Sequence, residues 1–385
     1  MNTWIRMLAI CLLLAGAGCK DSKPIQNLAY VTAIGLDYKD GHFIAYAQIL
    51  NFVNVAKMEA VETGKNVPVW IGTGRGRTMN EALNILSATS QIRMFWGHVR
   101  AIVITEELLK LQPRIKEAYE AINRYREVRY NIMLYATKDS MIDVLKQKSL
   151  LNLSPLDTIL DTPEQLYVQR SYITPQYGFK FIAELNEEGV TATMPDLTIT
   201  KKYWREDEKP KPMFQTNGAY FIRENKSVQW FSERDLEGKR WVQDNNMRSL
   251  IIVPNDQHPK ASLIIQKPRY RIRPVVVNNQ ARFDIEVKAK AYVQAIIEES
   301  TIPELKQLTE KTMAEQIMNT YLKGMSTQTD VYNLYGVLYR KDSKTWHRLK
   351  SQELLVLNKD TIGKIKVEVT MTNTGKYKGY RESPG

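Results

Sequence analysis

The most definite chemistry in this sequence belongs to one thiol. Cys19 follows Gly16-Ala17-Gly18, behind an apolar run from Met7 to Ala17 and the positive charge of Arg6. A thiol so placed can take a diacylglyceryl group, and cleavage ahead of it frees its amine. The apolar run falls short of the roughly 20 residues that a spanning helix needs. Residues 1–18 are therefore expected to be a lipoprotein signal peptide, with lipidation at Cys19. Gly16 stands where such signals usually carry leucine, and the competing reading is an ordinary secretory signal with an incidental cysteine. The only other cysteine, Cys11, leaves with the signal. The cleaved chain then allows neither an internal disulfide nor a cysteine-ligated zinc site.

Other residues invite chemistry and do not assemble it. Gly72-Thr-Gly-Arg-Gly-Arg-Thr78 has glycines and arginines that could cup an anion. It lacks the Gly-Lys-Ser/Thr ending of a phosphate loop and the G-x-G-x-x-G spacing, so a flexible loop entering a helix is the expectation. His98 sits between aromatic and apolar neighbours in Phe95-Trp-Gly-His-Val99, with no readable nucleophile or orienting partner. His42, His98, His258 and His347 show no metal-ligand spacing. The adjacent pairs Glu106-Glu107 and Glu298-Glu299 read as solvated faces, because glycosidase chemistry needs carboxyls across a cleft. Trp70, Trp96, Trp204, Trp230, Trp241 and Trp346 are scattered, as packing tryptophans usually are. No catalytic residue, cofactor or metal site is expected, and the chain reads as a non-enzyme.

The elements that carry these residues form an α+β chain. Leu28–Leu36 and His42–Leu50 flank an Asp-Gly turn and predict a hairpin. Met79–Leu86, Glu106–Tyr125 and Ser140–Lys148 read as helices, and Val99–Thr105 and Asn131–Ala136 as strands. Leu153–Pro163 reads as irregular, and the charged, proline-broken run Trp204–Pro212 as a loop or linker. Asn217–Ile222 and Ser227–Phe231 suggest a second hairpin, followed by a capping pattern at Ser232 and Asp235 where a short helix should begin. Phe283–Val293 alternates with period two, and so does Ile365–Met371. Between them, Thr301-Ile-Pro-Glu304 starts a long helix whose Leu305, Leu308, Ile317 and Tyr321 share a face up to Gly324. Such a helix on one face of an antiparallel sheet is the expected C-terminal architecture. The chain divides into an N-terminal α+β domain at 19–195, a small middle domain with a hairpin at 196–260, and a C-terminal α+β domain at 261–385.

The formal charge is +12 over 385 residues. Export removes nucleic acid as a partner and leaves anionic lipid headgroups or wall polymers, with an anionic membrane surface the expected counterpart of the basic excess.

The residues also resemble a known family. The cysteine signal with Asn27–Asp37, Gly72–Leu86, Phe95–Glu107, Arg124–Arg129 and Lys138–Leu145 are similar, in order, to the Ger(x)C proteins. These are the lipoprotein C subunits of spore nutrient-germinant receptors. Asn217–Phe221 with the hairpin to Trp230 resembles the start of that family's C-terminal half. Thr329–Gly336 with Trp346 is similar to its late Asp-x-x-Gly-x-Gly and Trp pattern; Gly336 is kept, and the other glycine position reads as Asn333 or Tyr335. The resemblance implies a three-domain mixed α/β lipoprotein on the outer face of the spore inner membrane. It would act with integral membrane A and B subunits and have no enzymatic activity. A small-molecule ligand for this chain itself is left open, as a membrane-anchored binding lipoprotein.

Overall fold

A computed structural model describes residues 28–50, 68–152, 155–223 and 228–372. The signal residues and Cys19 lie outside the described residues. Within them the fold is α+β, built on three successive sheets and a projecting ribbon.

The first sheet has the order β3-β2-β1-β5-β6-β7. Its strands are β1 (Leu28–Lys39), β2 (His42–Leu50), β3 (Trp70–Gly76), β5 (Ala101–Thr105), β6 (Met133–Thr137) and β7 (Gln176–Tyr177), with β4 (Arg93–Phe95) beside the start of β1. Asp40 and Gly41 both take positive φ, 50° and 75°, as the expected two-residue hairpin turn requires. β1, β5 and β6 run parallel and are nearly continuous in buried residues, because helices cover them.

The glycine run is a strand, not a loop. Gly72, Gly74 and Gly76 pair with Ala47, Ala45 and Phe43 of β2, so their amides serve a ladder. The same glycines let helix α1 (Met79–Thr89) lie directly on the strand. A Cβ at Gly72 would stand 2.8 Å from Leu86, one at Gly76 would stand 2.7 Å from the Ala82 nitrogen, and one at Gly74 would strike the Ala82 carbonyl oxygen. Thr78 caps α1, accepting from the Glu81 amide at 3.2 Å.

Glu106–Tyr125 divides into α2 (Glu106–Leu109) and α3 (Gln112–Asn123), since Pro113 is tolerated only in a first turn. α4 (Met141–Leu145) is as placed by sequence but shorter. Two helices were not foreseen, α5 (Pro163–Gln169) and α6 (Gly178–Asn186). The run expected as a charged linker instead forms a ribbon of β9 (Thr198–Glu206) and β10 (Lys209–Gln215). Ile199 and Phe214 root it against the core, and its prolines are tolerated because a two-stranded ribbon leaves outer edges unpaired.

The second sheet, β12-β11-β8, joins the two large cores. Its strands are β8 (Ala192–Pro195), β11 (Gly218–Ile222) and β12 (Gln229–Ser232). β11 is buried along its whole length, and its alternation divides the work. Tyr220 and Ile222 enter the N-terminal core, while Ala219 and Phe221 enter the C-terminal one. The Ser232–Asp235 box forms reciprocally, with Asp235 N donating to Ser232 Oγ at 3.1 Å and Ser232 N to Asp235 Oδ2 at 3.2 Å. Turns and a 3₁₀ segment, Lys239–Trp241, follow it in place of the expected helix.

The C-terminal sheet has the order β13-β14-β15-β16: β13 (Arg248–Pro254), β14 (Pro259–Val277), β15 (Gln280–Ile296) and β16 (Ile362–Met371). The first three strands are antiparallel. β16 joins parallel to β15, because the chain crosses over through α7 (Ile302–Ser326), α8 (Leu334–Lys341) and α9 (Ser343–Ser351). Helix α7 packs on the sheet through Leu305, Met313, Ile317 and Tyr321, and Thr301 caps it.

Candidate functional site

Among the described residues, titratable side chains are drawn into one cleft of about 300 Å³, where the N-terminal unit meets the C-terminal sheet. α6 contributes Lys180 and Glu184, and the 3₁₀ segment contributes Lys239. Gln243, Asp244, Tyr270, Asn333 and Arg340 also line it.

Each charge is placed by local structure. Glu184 faces β8 and accepts from the Thr193 amide at 3.1 Å and from Gln176 Nε2 at 2.8 Å. Burial raises its carboxyl above the ordinary value, and those hydrogen bonds and Lys239 oppose the rise. The Lys239 ammonium donates to the Val331 carbonyl at 2.7 Å and lies 5.6 Å from the Phe221 ring. Desolvation pushes it below the usual lysine value, against the pull of Glu184, Asp330 and Asp244. Burial likewise raises Asp330, which accepts from the Tyr335 amide at 2.8 Å. The Tyr270 hydroxyl is pushed up to about 12 by burial and then by Asp244. Gln243 donates to Tyr167 Oη and to the Tyr172 carbonyl and accepts from Thr174.

The walls are also clasped. Arg340 on α8 holds Glu187 in a two-point pair at 2.7 and 3.0 Å, and Asn333 Oδ1 accepts from the Thr191 amide at 2.7 Å. Asn333 takes φ 54° and ψ 40°, which settles the open motif position: it, and not Tyr335, occupies the glycine-type site. Gly336 lets Val190 approach α8, and Trp346 lies buried against Gly189. Asn333→Val is expected to cost about 1–2 kcal/mol more than Asn333→Gly, since both lose the bond from the Thr191 amide and only the branched side chain opposes the left-handed region. Urea midpoints of the two variants compare them directly, and equal midpoints would remove the conformational explanation.

Ionisation here has a sign. A carboxyl raised in the folded state binds protons more readily folded than unfolded. Stability attributable to Glu184 therefore falls as pH rises above its ordinary value of 4.5. Glu184→Gln is expected to flatten that fall between pH 4.5 and neutrality in denaturant titrations; an unchanged slope would contradict it.

The residues singled out by sequence fall elsewhere. Cys19 is outside the described residues. His98 lies edge-on to Tyr30, with centroids 5.1 Å apart, and burial followed by Arg129 and Arg100 lowers its pKa. Arg75, from the glycine run, points away from α1 and lies 3.7 Å from Asp40. Glu106 and Glu107 pair with Lys110 at the start of α2, and Glu298 and Glu299 are exposed after β15. Trp96, Trp241 and Trp346 are core residues, whereas Trp70 and Trp204 are exposed. Among the described residues no group of three or more His, Cys, Asp or Glu side chains is arranged to hold a metal. Sequence reasoning missed Glu184, Lys239 and Tyr270, whose distances along the chain hide their convergence. Only the Asp330–Gly336 pattern pointed toward this region.

The comparisons agree on kinship. Residues 21–199 match the family described as "Spore germination protein N-terminal domain", and residues 216–375 match "Spore germination B3/ GerAC like, C-terminal". Among curated proteins, the chain is similar to spore germination protein KC of Bacillus subtilis (strain 168). They are 21% identical over 98% of this chain and 97% of that protein. It is also similar to spore germination protein B3 of the same organism, at 21% identity over 72% of this chain and 71% of that protein. Among solved structures, the crystal structure of the GerBC protein superposes with a TM-score of 0.51 at 16% identity. The match covers 91% of this chain and 100% of that one, and it supports the three-sheet fold.

Proposed function

Because this chain belongs to the spore germination B3/GerAC-like family, we propose that it is the non-enzymatic lipoprotein subunit of a spore germinant receptor. Lipid at Cys19 holds it on the outer face of the spore inner membrane. There it acts with integral membrane A and B subunits in nutrient-triggered germination. The observation that carries this reading is the ordered match of both halves of the chain, 21–199 and 216–375, to spore germination families. No helix among the described residues is long and apolar enough to cross a membrane. Cys19 supplies the attachment, and the basic surface favours an anionic leaflet as a second signal. Deleting the gene in spores stripped of redundant receptors tests the role: loss of the nutrient response is expected, and normal germination refutes it.

A second reading, a membrane-anchored small-molecule-binding lipoprotein, is favoured by the cleft around Glu184, Lys239 and Arg340. It requires ligand to raise the melting temperature, and that rise must be lost in Lys239→Met.

A further inference from the structure

The outer face of the C-terminal sheet carries charge that the fold leaves uncompensated. Along β14 and β15, residues that face away from α7 pair across the ladder: Arg269 with Lys288, Gln266 with Lys290. Like charges directly opposite one another cost a sheet stability, and Glu368 at 3.1 Å from Lys288 offsets only one member of the Arg269–Lys288 pair. A bulge sharpens the cluster. The register slips between Gln266 and Arg269, and Lys267, in the left-handed region at φ 43°, is the inserted residue. Lys267, Arg269, Lys288 and Lys290 together line a shallow hollow of about 570 Å³.

Of the four cations, the nearby carboxylates reach only Lys288. Glu286 lies 3.3 Å from Arg273 and 3.7 Å from Lys288. Glu368 holds Lys288 at 3.1 Å and also pairs with Lys366. Asp284 accepts from the Lys364 amide at 2.7 Å. None of the ion pairs found among the described residues reaches Lys267, Arg269 or Lys290, and all three are exposed.

We propose that this face is an anion-binding surface that docks on the phosphate headgroups of an anionic leaflet. The hollow is shallow, is walled by long cationic side chains and opens from a broad sheet face, which fits a plane of headgroups. The inference rests on the membrane placement proposed above and adds the surface that meets the lipid. Lipid at Cys19 would tether the chain without orienting it, and a basic face on the body sets which surface meets the headgroups.

The test uses the chain from Lys20 onward, so that neither lipid nor the apolar run Met7–Ala17 masks the surface. Its partition onto vesicles with and without phosphatidylglycerol is measured by cosedimentation at low and high salt. Binding is expected only with the anionic lipid, falling as salt rises. Arg269→Gln with Lys290→Gln removes two charges near the surface and is expected to weaken binding roughly thirtyfold. Lys201→Gln with Lys202→Gln on the exposed ribbon makes the same change in net charge and is expected to leave binding within twofold. Equal losses in both double variants would overturn the proposal, as would failure to bind the anionic vesicles. Binding of inorganic phosphate without any vesicle preference would also overturn it, showing a free-anion site instead. Membrane fractionation of the unmutated protein reports the lipid anchor separately, so failure of this surface leaves that reading standing.

Discussion

Cys19→Ala is expected to move the protein from the membrane fraction to the soluble fraction after a high-salt wash. Each buried methylene of an attached lipid contributes about 0.8 kcal/mol, so two long chains outweigh any surface attraction. Basic residues near an anionic leaflet contribute only about 1 kcal/mol each and are screened by salt. The variant keeps that weaker term and loses the dominant one, so the wash separates them. The variant is expressed behind an ordinary secretory signal, because an uncleaved precursor would keep the apolar run Met7–Ala17 and stay at the membrane for that reason. A variant that remains in the washed membrane and is processed normally would show that the cysteine is incidental.

Gly74→Val is expected to destabilise the fold by about 3 kcal/mol or more, at the upper end of overpacking effects. The new Cβ meets the Ala82 carbonyl oxygen, a backbone atom held inside α1. Relief requires the helix to lift from β3, which would also uncover Leu83 and Leu86. Gly41→Ala is the comparison. An added Cβ there has nothing within 4 Å, and the cost is confined to the positive φ of 75°, about 1–2 kcal/mol. Urea unfolding of both variants ranks them. A smaller loss at Gly74 than at Gly41 would mean that helix and strand are not in tight contact.

These two glycines show what the sequence disclosed and what it concealed. Asp40-Gly41 sits between two β-rich runs, and the local signal was sufficient because a hairpin turn is decided by its own residues. The glycines at 72, 74 and 76 give the same local impression of flexibility. Their role is set by α1, which lies across them, and no pattern within the run reveals that contact. The ribbon at 198–215 misled for a related reason: its charge and prolines resemble a linker, and its pairing depends on Ile199 and Phe214 finding a core. The strand β15 and the Thr301 cap of α7 were legible because period and capping are local. The parallel seat of β16 was not, since it follows from a crossover of more than sixty residues between Ile296 and Ile362.

The candidate site was the least legible part. Glu184, Lys239 and Arg340 come from three separated stretches, and each in isolation reads as an ordinary surface charge. Burial at the junction, where β11 divides its side chains between two cores, shifts Glu184 up and Lys239 down. Asn333 gave a partial signal, as a residue tolerant of positive φ in a motif where a glycine was expected.

The central claim is membership of a membrane receptor complex, and co-purification tests it most directly. An affinity-tagged copy of this chain would be drawn from detergent-solubilised spore membranes, with the Cys19→Ala variant as control. The account predicts that integral membrane receptor subunits come down with the tagged protein in fixed ratio, and that their recovery falls sharply for the variant. Recovery of the lipidated protein alone, from membranes in which those subunits are present and soluble, would contradict it.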